Sequence, residues 1–169
     1  SMAMLVQRGG DPVGLAILGG NGIGSHWIPP RLGRTHFTEI LGCLARVIPG
    51  GSDVLADGFS RIGGHLRSRS MAVVVSDLME EPSEWGPKLS ALARRKVDLR
   101  VAHLYDKQEM SLDYKDSARF FSPEGGTTMP IDPRSVRNRF TEVVDSYFRE
   151  VDGWLSSRRA MCVRFSSDT

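Results

Sequence analysis

The chain has 169 residues and a mass of 18.7 kDa, the size of one ordinary domain with room for a buried core. Lys and Arg number 22 and Asp and Glu 20, a net charge of +2, which excludes nucleic-acid affinity resting on a strongly basic face. With 40% hydrophobic and 25% charged residues the composition is globular rather than disordered, and no apolar run reaches the length of a membrane span.

In chain order, residues 4–8 read as the tail of a helix closed by Gly9-Gly10. Residues 13–18 and 23–28 flank Gly19-Gly20-Asn21-Gly22 and predict a β-hairpin, its second strand stopped by Pro29-Pro30. Thr35 is placed to cap a helix running to about Ile48, with Phe37, Ile40, Leu41, Leu44 and Ile48 on its inner face. Ser52 is placed to cap the next helix, in which Leu55, Phe59, Ile62 and Leu66 repeat at helical spacing. The valine-rich run 71–75 predicts a strand covered on both faces, as in a parallel sheet. Ser83 opens a helix with Leu89 and Leu92 inward, and residues 97–104 form another strand with Leu99 and Val101 on one face.

Around Gly125-Gly126 a small hairpin is expected from residues 119–121 and 128–131. Asp132-Pro133 starts a helix to about Ser157, with Val136, Phe140, Val143, Tyr147, Val151 and Trp154 as its buried stripe, and residues 161–165 form a last strand. Strands alternating with helices predict an α/β domain: a mostly parallel, Rossmann-like sheet with helices on both faces. Cys43 and Cys162 lack metal or disulfide-framework spacing and read as two small buried hydrophobes of a reducing, cytoplasmic chain without a secretory signal, with a disulfide between them as the alternative. Ser1-Met2 reads as the scar of a cleaved tag.

Ligands of such sheets bind at the carboxyl ends of the strands. Oxygen donors follow two separate elements there, Ser52-Asp53 and Ser76-Asp77, and suit a hard cation such as Mg²⁺. The plain alternatives are a helix cap at Ser52 and a turn aspartate at Asp77. The glycine cluster at 19–24 carries no dinucleotide spacing, no Walker A lysine occurs, and the four histidines show no metal spacing. A hydrolase built on Ser76, Asp77 and His103 is the competing chemistry, and His103 also reads as a core or strand-end histidine.

The order of Gly9-Gly10-Asp11-Pro12-Val13-Gly14-Leu15, Pro29-Pro30-Arg31, Pro49-Gly50-Gly51-Ser52-Asp53-Val54-Leu55, Val73-Val74-Val75-Ser76-Asp77-Leu78, Phe120 to Gly125 and Ile131-Asp132-Pro133-Arg134 resembles the C-terminal half of a bacterial von Willebrand factor A-like family. That family is a domain of unknown function, number fifty-eight, encoded beside MoxR-type AAA+ ATPases. The resemblance implies a metal-ion-dependent adhesion site in which Ser52 stands at the family's Thr position and Asp77 at its third-loop Asp. The D-x-S-x-S segment of that site is absent from these residues, so the resemblance further implies weak or no Mg²⁺ binding and a missing central strand between residues 13–18 and 71–75. The chain is then expected to be an N-terminally truncated single domain, closing the gap by pairing its own strands or by strand exchange in a homodimer. The implied function is non-enzymatic protein–protein interaction, with a MoxR-type AAA+ ATPase as partner.

Overall fold

The computed structural model describes residues 2–18, 26–48, 50, 55–107, 110, 118–120, 129–131 and 133–167. The chain divides into two compact units, residues 1–58 and 59–169, with the boundary inside one helix.

In the first unit, helix α1 (Met2–Arg8) leads into strand β1 (Val13–Ile17), which pairs antiparallel with β2 (His26–Arg31). The expected hairpin forms, but β2 runs through Pro29-Pro30 instead of stopping there. Val13 faces Arg31 and Leu15 faces Ile28, so two prolines oppose the single Gly14. A bulge of this kind removes the need for ladder N–H groups, which is why prolines fit. A Cβ on Gly14 would lie 2.7 Å from the Ile28 carbonyl oxygen and 3.0 Å from the Pro30 nitrogen, so the close approach requires glycine.

Helix α2 (Arg34–Leu44) starts at an N-cap Gly33 with φ 113°, not at Thr35, and ends before Ile48. Its end tightens because the amides of Arg46 and Val47 turn back to the carbonyls of Cys43 and Leu44. The buried stripe is His36, Ile40 and Cys43, packed with Val13, Leu15 and Ile17, while Leu41 and Leu44 are 47% and 48% exposed. The inner face is thus rotated from the one expected, because His36 turns inward: its Nε2–H donates to the Val13 carbonyl at 2.8 Å. That bond ties α2 to β1 and removes the cost of burying the imidazole.

Helix α3 (Leu55–Gly63) crosses the unit boundary. The second unit continues with β3 (Met71–Ser76), α4 (Pro82–Arg94), β4 (Asp98–Tyr105), the short antiparallel pair β5 (Ala118–Phe120) and β6 (Met129–Ile131), α5 (Pro133–Ser156) and β7 (Met161–Ser166). The fold is α/β, with a parallel sheet of order β3-β4-β7. The hairpin around residues 125–126 is present as β5 and β6; its turn, like the 19–25 turn and the expected caps Ser52 and Asp132, lies outside the described residues.

Strand order explains where the core lies. From β3 to β4 to β7 the chain advances in one direction, and right-handed crossovers then set both connecting helices on one face. That face carries Leu99, Val101 and His103, buried with Trp85, Leu89 and Leu92 of α4 and Val151 and Leu155 of α5. The opposite face holds Met71 at 59%, Val75 at 61% and Phe165 at 50% exposure, so the expectation of β3 covered on both faces is not met. Val143, placed in the buried stripe of α5 from its spacing, is likewise exposed. Among the described residues β1 pairs with β2, and β3 pairs with β4.

Candidate functional site

The segment between β3 and α4 is an irregular stretch held by several hydrogen bonds. It turns a strand into a helix within residues 77–81, leaving several backbone carbonyls without ladder or helix partners. Leu78 adopts φ 52°, a left-handed conformation unfavourable for a bulky residue, and its side chain is fully buried. Two short-range bonds begin the turn. The Leu78 N–H donates to Ser76 Oγ at 3.0 Å, and the Met79 N–H reaches Asp77 Oδ1 at 3.5 Å.

Three aromatic donors from three elements then hold the carbonyls. His103 on β4 donates from Nε2 to the Asp77 carbonyl at 2.9 Å. The Tyr147 hydroxyl on α5 donates to the Leu78 carbonyl. Trp85 on α4 donates from Nε1 to the Glu80 carbonyl at 3.0 Å. Trp85 and His103 are buried, at 0% and 1% exposure, and Tyr147 is half-buried. His103 and Ser76 are register partners, so β4 delivers its histidine beside the end of β3. The carboxylate of Asp77 itself is exposed.

A carbonyl acceptor requires the proton on Nε2, so His103 is the neutral Nε2–H tautomer; its Nδ1 has no partner among the described residues. The ring stands edge-on to Phe148 at 5.4 Å and to Tyr147 at 6.5 Å. Arg164 of β7 lies 4.6 Å over Phe148 and donates to Asp152 at 2.7 Å. Burial lowers the His103 pKa below its ordinary 6.5, opposed by the Asp77 carbonyl, assisted by Arg164, and opposed by the carboxylates of Asp152 and Asp77. Burial, then the charges of Asp77 and Glu150, push the Tyr147 hydroxyl up to about 12, so it remains a donor at neutral pH.

A stability prediction follows from the lowered imidazole. Below pH 6.5 the unfolded chain binds a proton at residue 103 that the folded chain refuses. The His103 contribution is therefore fully present above that pH and is lost as pH falls toward the folded-state value. The slope it adds is at most about 1.4 kcal/mol per pH unit. Urea unfolding of wild type and His103→Gln from pH 7.5 to 5 should show the wild type losing more stability; parallel curves would refute it.

Of the residues singled out from sequence, Ser76, Asp77 and His103 come together in this turn. Their arrangement differs from a hydrolase's. Ser76 Oγ accepts from the Leu78 amide and His103 Nε2 is committed to a backbone carbonyl, so no serine–histidine relay is formed. The reading of His103 as a core histidine is the one its burial supports. Ser52 and Asp53 lie outside the described residues. Asp106, after β4, accepts from Ser167 Oγ at 3.3 Å. Among the described residues no three His, Cys, Asp or Glu side chains cluster to hold a metal ion. Asp77 is a carboxylate open to solvent at the carboxyl end of β3. Cys43 is buried and Cys162 half-buried, and both are free thiols.

Sequence reasoning missed Trp85 and the hydroxyl of Tyr147 as turn-holding groups. Tyr147 stood out only as one member of an apolar stripe, and nothing local to Trp85 signals its acceptor.

The family model described as "Protein of unknown function DUF58" matches residues 1–147. The chain belongs to the DUF58 family. No curated protein and no solved structure matches the chain. The matched residues of this DUF58 chain include the whole Asp77 turn and two of its three aromatic anchors on β4 and α4, and end at the third, Tyr147. No helix of the described residues is long and apolar enough to cross a membrane.

Proposed function

We propose that this DUF58 chain belongs to a non-enzymatic protein-interaction module of von Willebrand factor A-like type, with Asp77 as its recognition point. The observation that carries the reading is an exposed carboxylate at the carboxyl end of edge strand β3, on a turn whose carbonyls are held by His103, Tyr147 and Trp85. Ligand sites of parallel α/β sheets lie at such strand ends. A rigid turn also spares the ordering cost that a flexible loop incurs on binding.

Asp77 would offer a hard oxygen donor to a Mg²⁺ ion, which would supply a Lewis-acidic position for a partner's Asp or Glu. The side chains around the turn would then select that partner, for which a MoxR-type AAA+ ATPase is the leading candidate. Binding of the protein to the MoxR-type ATPase is expected in 5 mM Mg²⁺ and to fall by about tenfold or more in EDTA or on Asp77→Ala, the scale of a lost charge-assisted contact. Calorimetry showing affinity indifferent to both EDTA and Asp77→Ala would sink the proposal.

A further inference from the structure

Among the described residues the Asp77 carboxylate has one weak tie of its own, the 3.5 Å approach of the Met79 amide. Where its side chain emerges is set by the backbone that carries it. That backbone is left-handed at Leu78, and an isolated leucine prefers to leave this region. Something must hold it there. Ser76 Oγ holds the Leu78 amide from within the same turn and relaxes with it. Trp85 acts two carbonyls further on, at the entry to α4. Tyr147 takes the Leu78 carbonyl from α5. Among the described residues, His103 takes the carbonyl of residue 77 itself. It does so from the interior of β4, where its ring is fixed by burial and by edge contacts to Tyr147 and Phe148.

We propose that His103 is the positioning residue of this site: its Nε2–H to Asp77 carbonyl bond holds the 77–78 peptide in place and thereby orients the Asp77 carboxylate. The inference rests on the reading of Asp77 as the recognition point, but concerns the turn rather than its ligand. An ordinary core histidine is interchangeable with any side chain of similar size. A positioning histidine is replaceable only by one that also donates a hydrogen bond at that point.

Amide hydrogen exchange of the 169-residue chain tests this with two variants. His103→Leu fills the space without a donor; His103→Gln restores one. Leucine is expected to speed exchange at the Leu78 and Met79 amides by about tenfold, the scale of one lost buried hydrogen bond, with Val101 and Val163 unchanged. Glutamine should return most of that protection. Equal acceleration in the turn and in the strands, or the same result for both variants, overturns the proposal and leaves His103 a packing residue.

If His103→Leu does not fold, the wild type decides. A slowly exchanging Hε2 proton on His103, with a nuclear Overhauser contact to the Leu78 amide, is required, and an Nδ1–H tautomer refutes it. Binding indifferent to Asp77→Ala would remove the proposed function while leaving the exchange result intact, so the two failures are distinguishable.

Discussion

Replacing Trp85 with alanine is expected to lower folding stability by about 3–5 kcal/mol, the range for emptying a large aromatic site in a close-packed core. Trp85 is fully buried, and its Nε1–H satisfies the Glu80 carbonyl at 3.0 Å. The substitution therefore opens a cavity and strands an acceptor at once. Trp85→Phe separates the two effects. It keeps most of the apolar volume and removes only the donor, so its cost should be nearer 1–3 kcal/mol, roughly that of one buried acceptor left unpaired. Urea midpoints with unchanged m-values are the measurement. A Phe variant as unstable as the Ala variant would show that the hydrogen bond, not the volume, dominates. An Ala variant within 1 kcal/mol of wild type would mean that the site collapses without loss.

The second large effect concerns helix–helix contact. A Cβ on Gly86 would lie 2.5 Å from Trp154 Cε3, so α4 approaches the indole of α5 as closely as a glycine permits. Trp154 has little freedom to retreat, because Arg158 lies 4.2 Å over its ring and donates to its carbonyl. Gly86→Val should cost about 3 kcal/mol, the upper part of the overpacking range. Gly153, also inside a helix, has open space where its Cβ would be. Gly153→Ala should gain up to about 1 kcal/mol, because there only the conformational freedom of glycine counts. Two helical glycines thus carry opposite predicted signs. Thermal melts giving both variants the same sign would contradict the packing described for α4 and α5.

Gly86 precedes Pro87 and Gly153 precedes Trp154, but neither neighbour tells what a Cβ would meet; the packing of Trp154 against Gly86 decides that. The same holds for the turn. Ser76 and Asp77 were legible because oxygen donors directly following an apolar strand-length run are visible locally. The aromatic anchors were not. His103 lies 26 residues from the carbonyl it holds and Tyr147 lies 69 residues from its own, and no local pattern encodes such meetings. The left-handed Leu78 was equally hidden, since leucine is not a residue that advertises positive φ.

By itself, the sequence determined the alternation of strands and helices, the α/β class, and where each strand ends in polar residues. These follow from periodicities of two and 3.6 and from the short reach of Gly, Pro and capping side chains. Tertiary structure alone decided which face of the parallel sheet is covered. The run 71–75 is apolar on both faces, and its composition allows either face to be buried. The order β3-β4-β7 breaks that tie, because successive right-handed crossovers in one direction bring α4 and α5 to the same side. The same placement brings His103, Trp85 and Tyr147 around one turn, and so turns an ordinary strand-end aspartate into a carboxylate presented on a rigid mount.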